Sequence, residues 1–586
     1  MDKAEKVVNL AIRRGFFWPA YEIYGGVAGL YVWGPLGVKL KRKVADLWRA
    51  MFVEAHDFIE IDSPSIAPHI VFEASGHVEH FKDIMVVCSK CGRRYRGDTL
   101  LKEKGIEVSE ALKPSDIDEL IEKYDIKCPT CGGDFEKSSY FTTMFKTTIG
   151  PYKEAIGYLR PETAQGMFVE FARIREITRR RMPIGIAQIG RGFRNEISPR
   201  QGPIRLREFD MMELEYFYDP KDEYCPWINE YLDFEINLYH RELILSGKKD
   251  VEYETMSIKE ALDRGIIKSK CMAYFMALAT EFLELLGIPR KYQRFREKLE
   301  GERAHYAVQT FDQEVKLTRW GWIEVSGHAN RTNYDLSRHI KFSGKDLYAY
   351  RKLDKPREIE EIDVVPDPKK IKERFGSRIG FIMSRLSKMD REMIKREILS
   401  KGYVEVGDGI VLNRDLFRID KKMKRVEVEA YIPHVVEPSF GLDRICYSIL
   451  EYSYKEKEGR IILSLPPYIA PYEVAVFPLI QDNKLIEIAR EIWSMLKENG
   501  FSVIYDEGES IGRRYARVDE IGVPIAVTVD YQTLEDNTVT VRDRDTWIQY
   551  RIDIPKLTEF INKVLEGCSF TSVASEMSLR LYNSTH

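Results

Sequence analysis

Apolar positions along this chain recur with two different periods. From Glu5 to Trp18 they follow the three-to-four spacing of an amphipathic helix, and that spacing returns from about Val38 to Ala55, at about 227–246 and at 271–287. It is found again at 441–452, 483–498 and 512–521. Between Gly185 and Glu196, and from Glu208 to Tyr218, successive side chains alternate between two faces, which predicts two strands facing each other across a loop. Further strands are predicted near 305–325 and at 426–432, 473–477, 501–505 and 523–529. The stretch 338–425 is rich in charge and reads as helix alternating with loop. After Pro466-Pro467 strands and helices alternate, predicting an independently folded α/β unit with a mostly parallel or mixed sheet. No fixed period runs through the chain, so it is not a repeat protein.

Composition narrows the class. The chain has 586 residues, about four domains' worth at ~150 residues each. With 44% hydrophobic and 31% charged residues it has ample apolar surface to offset chain entropy, which excludes a wholly disordered chain. The charge-free stretch Ile23 to Val38 contains five Gly and one Pro and falls short of the ~18 apolar residues of a membrane helix. The start has no apolar leader, so a soluble, cytoplasmic protein with no membrane partner is expected. A net charge of −3 announces no nucleic-acid partner in bulk, so any such surface is local. Three basic runs exist: Arg173, Arg175, Arg179, Arg180 and Arg181; Lys369, Lys370, Lys372 and Arg374; and Lys421, Lys422, Lys424 and Arg425. Each reads first as a solvated helix face.

Eight cysteines in so long a chain do not make a disulfide scaffold. Four form two Cys-x-x-Cys pairs, Cys88/Cys91 and Cys128/Cys131, each followed by glycine. That spacing lets two thiolates reach one tetrahedral metal, and the 36 residues between the pairs add little loop-closure entropy. A structural zinc at Cys88, Cys91, Cys128 and Cys131 is expected; four thiolates leave no open position for catalysis. Cys446 sits in an apolar helical pattern and reads as core.

The candidate chemistry lies in the middle of the chain. On the first of the two facing strands Gly190, Gly192, Arg194 and Glu196 share a side, where the glycines leave room for a ligand and Arg194 offers a planar cation for phosphate. On the second, Phe209, Met211, Glu213 and Glu215 share a face. Phe209 and Glu213 are roughly 13 Å apart at the strand rise, about the span from a stacked base to the far end of an aminoacyl adenylate. The basic loop from Ser198 to Arg207 is longer than a hairpin needs. Further on, Glu437-Pro438-Ser439-Phe440-Gly441-Leu442-Asp443-Arg444 leads into a helix whose core face carries Leu442, Ile445 and Ile449, so Arg444 points elsewhere. From spacing alone, Ser439 is better explained as a helix cap.

Together these segments resemble the class II aminoacyl-tRNA synthetases and, within them, the glycyl-tRNA synthetases of the archaeal and eukaryotic dimeric type. Gly25–Leu30 with Gly34–Gly37 is similar to the family's motif 1, Phe193–Arg200 through Arg207–Phe209 to motif 2, and Glu437–Arg444 to motif 3. The string Arg160-Pro161-Glu162-Thr163-Ala164-Gln165-Gly166 is specific to the family, and the last 120 or so residues, with Gly512-Arg513-Arg514-Tyr515, resemble its anticodon-binding domain. The resemblance implies an α/β fold: an α+β catalytic domain built on an antiparallel sheet, plus a C-terminal α/β anticodon-binding domain. It implies ATP and magnesium as cofactors, glycine and tRNA(Gly) as substrates, and a homodimer. It also implies that Arg194 holds the α-phosphate, Glu196 and Phe209 fix and stack the adenine, and Arg444 caps the nucleotide, with Asn195, Arg205 and Val325 completing the ATP site. By the same resemblance Glu324 holds magnesium, and Glu162, Glu213, Glu437, Ser439 and Arg96 bind glycine. The family usually carries an acid before Arg331, where this chain has Asn330.

In such a reaction charge develops on phosphate oxygens, so arginines and magnesium suffice without a strong general base. Acids suit an ammonium and fill the space a larger side chain would enter. A class II synthetase of other specificity and a non-catalytic tRNA-binding paralogue are the alternatives; the 160–166 string disfavours the first, and Arg194 and Arg444 the second. The expected layout is catalytic domain at 1–84, 146–335 and 426–465, Cys-rich insertion at 85–145, charged insertion at 336–425, anticodon-binding domain at 466–567, and a Ser/Thr-rich tail at 568–586.

Overall fold

The computed structural model describes residues 2–106, 112–152, 154–179, 181–199, 202–248 and 250–582; Arg180, Arg200 and Gln201 of the basic segments lie outside them. A nine-stranded sheet organises the larger of two compact units. Its strands in chain order are β1 (Ile59–Glu60), β2 (Ile184–Phe193), β3 (Glu208–Tyr218), β4 (Glu235–Tyr239), β5 (Glu254–Ser257), β6 (Gln293–Glu297), β7 (Gln309–Leu317), β8 (Gly321–Thr332) and β9 (His434–Gly441). They lie side by side as β5-β4-β6-β7-β8-β9-β3-β2-β1, antiparallel except for the pairs β1–β2 and β4–β6.

Helices cover both faces. On one lie α1 (Lys3–Arg14), α2 (Pro35–Phe52), α4 (Lys270–Leu285) and α6 (Leu442–Ser453); on the other lie α3 (Ala164–Ile177) and α5 (Tyr334–Ser343). Alternation along β3 decides which side chain meets which layer. Met212, Leu214 and Tyr216 enter the α2/α4/α6 core, whereas Phe217 packs among Phe168 and Phe171 of α3. That leaves Phe209, Met211 and Glu213 along one cleft-facing row.

Three sequence expectations are corrected. The first helix ends at Arg14, because Gly15 takes a left-handed conformation (φ +80°) and its N–H closes on the last carbonyls; Phe17–Pro19 is a strand. The stretch 227–246 is not one helix: Glu235–Tyr239 pairs with strands on both sides, burying Ile236, Asn237 and Leu238 together, and this makes β4. Within 338–425 the main feature is a long antiparallel ribbon of Ala349–Pro366 with Phe417–Tyr431. Most of its exposed side chains are charged, with pairs across the strands such as Lys421 with Glu360 at 3.0 Å and Arg351 with Glu429 at 2.9 Å, so beyond the predicted strand at 426–432 no apolar alternation announces it. The run Lys421–Arg425 is thus on a strand and not a helix. The ribbon and three helices between its arms enclose a separate core around Ile371, Ile382, Ile398 and Leu412, forming the second compact unit, Tyr348–Tyr431.

The C-terminal part is a six-stranded mixed sheet of β10 (Val474–Pro478), β11 (Val503–Tyr505), β12 (Ile525–Val529), β13 (Thr538–Asp543), β14 (Gln549–Asp553) and β15 (Arg580–Leu581), ordered β11-β10-β12-β13-β14-β15. Val474, Val476 and Val527 pack with α7 (Asn483–Glu498), while the alternate residues Ala475, Phe477 and Ala526 pack with α8 (Ile511–Glu520) into an apolar cluster continuous with the catalytic core. The tail contributes a helix, Phe570–Glu576, and the edge strand β15.

Candidate functional site

A deep cleft opens over the centre of the nine-stranded sheet, between the ends of β2, β3, β8 and β9. Strand register brings its floor together. Gly192 lies opposite Phe209 and Gly190 opposite Met211, while Glu213 lies opposite Ser439 of β9. The glycines serve their neighbours: a Cβ on Gly190 would stand 2.3 Å from Arg160 Nη2, and one on Gly192 would stand 2.8 Å from the Phe209 ring. The room expected for a ligand is therefore taken by Arg160 and Phe209 themselves.

At the outer end sit the cations. Arg194 follows directly after β2, and its guanidinium lies between the rings of Phe81 (5.4 Å) and Phe209 (5.3 Å), each attractive to a cation. Asn195 is anchored through its backbone N–H to Thr143 O at 2.6 Å. Glu196 faces Arg205 at 3.8 Å. Arg444 projects from the first turn of α6, donating from Nε to Ile204 O at 2.9 Å and from Nη1 to Glu324 O at 2.8 Å. Its Nη1 also lies 3.2 Å from the Glu324 carboxylate, beside the backbone of Val325. Partial desolvation in the cleft raises the Glu324 carboxyl, which is still about half exposed, but Arg444, Lys298 and Arg194 outweigh it and hold it below the usual range. Asp312, paired with Lys298 at 2.9 Å, is pushed up to about 7 by burial and by neighbouring Glu324.

The inner end is acidic and tightly tied. Ser439 donates its hydroxyl to Glu213 Oε1 at 2.6 Å. The other Glu213 oxygen accepts from the Thr163 backbone N–H at 2.6 Å and from the Thr163 hydroxyl. Glu162 accepts from Gln165 at 3.1 Å and faces His77 Nε2 at 3.3 Å. Burial raises the Glu162 carboxyl, but His77 and Arg331 more than offset it and keep it ionised. Arg331, fully buried, binds both oxygens of Asp335 (2.8 and 2.9 Å) and Glu437 at 2.9 Å. It reaches them because the β8/β9 register slips between Asn330 and Thr332, and the bulge turns Arg331 inward. Asn330 supports that bulge by accepting from the Thr332 N–H at 3.2 Å.

Arg96 is not brought to this end. It lines a small neighbouring cavity beyond Glu196 and Arg205, where Asp98 (2.7 Å) and Asp83 (3.6 Å) engage its guanidinium. Phe81, Thr163, His77, Arg331, Lys298 and Asp312 line or support the cleft, and sequence reasoning assigned none of them a role. Only Thr163, inside the 160–166 string, carried a signal.

The four cysteines of the insertion converge. Their sulfurs all lie within 4.8 Å of one another, with Cys88–Cys131 at 3.5 Å and Cys91–Cys128 at 3.8 Å. Two like turns present them: Gly92 N–H closes on Cys88 O and Gly132 N–H on Cys128 O, both at 2.9 Å, with φ of +67° and +69°. Sulfur–metal bonds of about 2.3 Å in a tetrahedron put sulfurs about 3.8 Å apart, so the set fits zinc.

Residues 151–452 match the family described as tRNA synthetase class II core domain (G, H, P, S and T), and residues 473–564 match the anticodon binding domain. The chain is 48% identical over 570 residues to the "Glycine--tRNA ligase" of Aeropyrum pernix, covering 96% of this chain and 97% of that one. It is 44% identical over 571 residues to the protein of the same name from Methanothrix thermoacetophila, covering 97% and 98%. The match to that from Pyrococcus horikoshii is also 44% over 571 residues, covering 97% and 99%. Among solved structures, prolyl-tRNA synthetase from Cryptosporidium parvum with L-proline and AMP superposes with a TM-score of 0.51 at 14% identity, over 98% of this chain and 77% of that one.

Proposed function

The chain belongs to the glycine–tRNA ligases of class II and charges tRNA(Gly) with glycine, and on that premise we propose how its cleft divides the work. Glycine lies at the inner end with its ammonium on Glu213, Glu162, Glu437 and Ser439. The adenine of ATP stacks on Phe209 near Glu196, with Asn195, Arg205 and the Val325 backbone completing its surround. Arg194 and Arg444 hold the phosphates. Glu324, with Asp312 facing it, would hold magnesium, which neutralises polyphosphate charge when bound. A glycine carboxylate oxygen attacks the α-phosphorus, the bond to pyrophosphate breaks, and glycyl-adenylate forms. Arg194 and Arg444 stabilise the charge that grows on the phosphate oxygens, so no side chain need remove a proton. The ribose hydroxyl at the tRNA 3′ end then displaces AMP.

The observation that carries this reading is Glu213, fixed by Thr163 and Ser439 at the closed end of a cleft whose mouth holds two arginines and a stacking ring. An acid with both oxygens tethered suits an ammonium and leaves no space for a side chain on the substrate α-carbon. Because Arg96 is engaged by Asp83 and Asp98, its part in glycine binding requires those pairs to open.

Four further assignments belong to the same reading. Zinc bound by Cys88, Cys91, Cys128 and Cys131 holds the insertion together. The exposed apolar side chains Tyr21, Ile23, Tyr24 and Val27 beside α2 are a surface for a second copy of the chain. The 473–564 region contacts the anticodon, and the layout by residue follows the boundaries expected from the sequence. The protein works in the cytoplasm; among the described residues no helix is long and apolar enough to cross a membrane. ATP–pyrophosphate exchange tests the central reading: exchange should depend on glycine, with alanine and serine far weaker. Equal exchange with alanine refutes the pocket.

A further inference from the structure

Behind the glycine end of the cleft, Glu215 is fully buried, and neither of its carboxyl oxygens has a hydrogen-bond partner among the described residues. A buried carboxylate without donors is among the least favourable arrangements a fold can hold. The register makes it worse. Glu213 pairs with Ser439 and Tyr216 with Val436, which sets Glu215 opposite Glu437 on the neighbouring strand. Like charges directly opposite in a sheet repel.

The surroundings offer no spare cation. Glu213 lies two residues away on the same strand, Glu437 on β9, and Asp335 on α5. From β2 the facing residue is Ile186, and from α3 Phe168 lies beneath the Arg331 guanidinium at 5.0 Å. His339 of α5 is bonded to Gln165 at 2.9 Å, and burial pushes its imidazole down toward the neutral form. Arg331 is the cation that acts on this group, and it is already committed to Asp335, Glu437 and Glu162. Burial, then Glu437, raises the Glu215 carboxyl well above its ordinary value. Burial raises Glu437 as well, to about 8 despite Arg331, but Arg331 donates directly to Glu437 at 2.9 Å and to neither oxygen of Glu215, so a single proton shared by the two acids belongs on Glu215.

We infer that Glu215 is a positioning residue held as the neutral acid, whose hydroxyl is directed across the strand pair at Glu437 and, with Arg331, fixes that carboxylate toward the substrate ammonium. The inference rests on the glycine pocket proposed above. A proton on Glu215 turns two opposed acceptors into a donor and an acceptor. It also limits how much negative charge the inner end carries before the ammonium arrives. Ionised Glu215 would add a charge that Arg331 cannot balance.

The test begins with the full-length protein and no substrate. Urea unfolding is followed between pH 5 and 8 for wild type and Glu215→Gln. The folded wild type keeps a proton that the unfolded chain releases above about pH 4.3, so its unfolding constant should rise tenfold more per pH unit than that of the variant. Equal slopes overturn the inference. In the infrared, a protonated-carboxyl C=O band should be present in wild type at neutral pH and lost in Glu215→Gln; its absence from wild type overturns it too. In exchange kinetics Glu215→Leu should raise KM for glycine roughly tenfold, with kcat and KM for ATP within about threefold, and Glu215→Gln should restore most of the loss. If Gln harms glycine binding as much as Leu does, the neutral acid is not what the site needs. Should Glu215→Leu fail to fold, the slope and the infrared band decide. Glu213→Gln separates the two readings: no effect of that change on glycine would sink the pocket itself, yet leave the Glu215 slope and band to be judged alone.

Discussion

Ser439 and Glu213 meet across paired strands, hydroxyl to carboxylate at 2.6 Å, while Thr163 holds the other oxygen of the same carboxylate. Held on both oxygens, Glu213 cannot swing away; Oε2 already accepts two bonds from Thr163, and Oε1, which accepts one from Ser439, has a lone-pair site left for a further donor. The acid is thus set in place before any substrate enters.

Glu213→Gln should therefore weaken glycine specifically. The amide must turn its NH2 toward Ser439 or Thr163, both of which donate to this side chain, and the charge-assisted contact with the ammonium is lost. An increase in KM for glycine of roughly 10- to 100-fold is expected, with KM for ATP little changed. Exchange assays varying each substrate in turn check it, and matching rises in both constants would argue against the assignment.

The Arg194 guanidinium stacks between Phe81 and Phe209, so its role depends on planarity as well as charge. Arg194→Ala should lower the rate of adenylate formation roughly 10²- to 10³-fold. Arg194→Lys should recover little, since a compact ammonium cannot fork to phosphate while stacked on both rings. Single-turnover rates of adenylate formation decide; a lysine variant near wild type would discard the stacking argument.

Protein purified without chelator should carry about one zinc per chain. Cys128→Ser should remove it and lower the melting temperature of the insertion's cooperative unit, because the core beneath is small: Val86, Leu100, Leu101 and Ile117 among few others. Elemental analysis with calorimetry is the measurement. Metal-free wild type of full stability would dismiss the site.

Acid should destabilise the catalytic core through its buried histidines. Burial pushes His328 down to about 3 and His56 to about 4, against about 6.5 in the unfolded chain. Between those values the unfolded chain binds more protons, so stability falls as pH drops from about 6.5 toward 4. Each histidine contributes up to tenfold per pH unit in the unfolding constant. Urea titrations at stepped pH should show His328→Gln losing one proton's worth of that slope; an unchanged slope would mean the imidazole charges without unfolding.

What the sequence made readable was local and periodic. Alternation along Glu208–Tyr218 gave the row Phe209, Met211 and Glu213 because one face of that strand meets the cleft and the other the core. Elements without an apolar stripe stayed hidden. The ribbon formed by residues 349–366 and 417–431 is bound by backbone pairing and surface ion pairs, and charged strands have no face to read. The strand Glu235–Tyr239 has five residues, and the three in its middle, Ile236, Asn237 and Leu238, are all buried, so it shows no alternation to read. Arg331 owes its place to a bulge, and His77 and Phe81 to a turn that swings them over residues far along the chain; neither leaves a local mark.

The helix at the very start of the chain is fastened to its end. Arg13 of α1 pairs with Glu520 of α8 at 2.9 Å, and Val7 and Leu10 bury against a cluster that includes residues of α6 and α8. Glu520 follows Arg13 by more than five hundred residues, roughly half a minute to two minutes of synthesis at ordinary elongation rates. Throughout that interval an amphipathic helix waits with its apolar stripe uncovered. The stripe closes against α6 and then against α8, so the last contacts of this helix form only after every catalytic strand has been made.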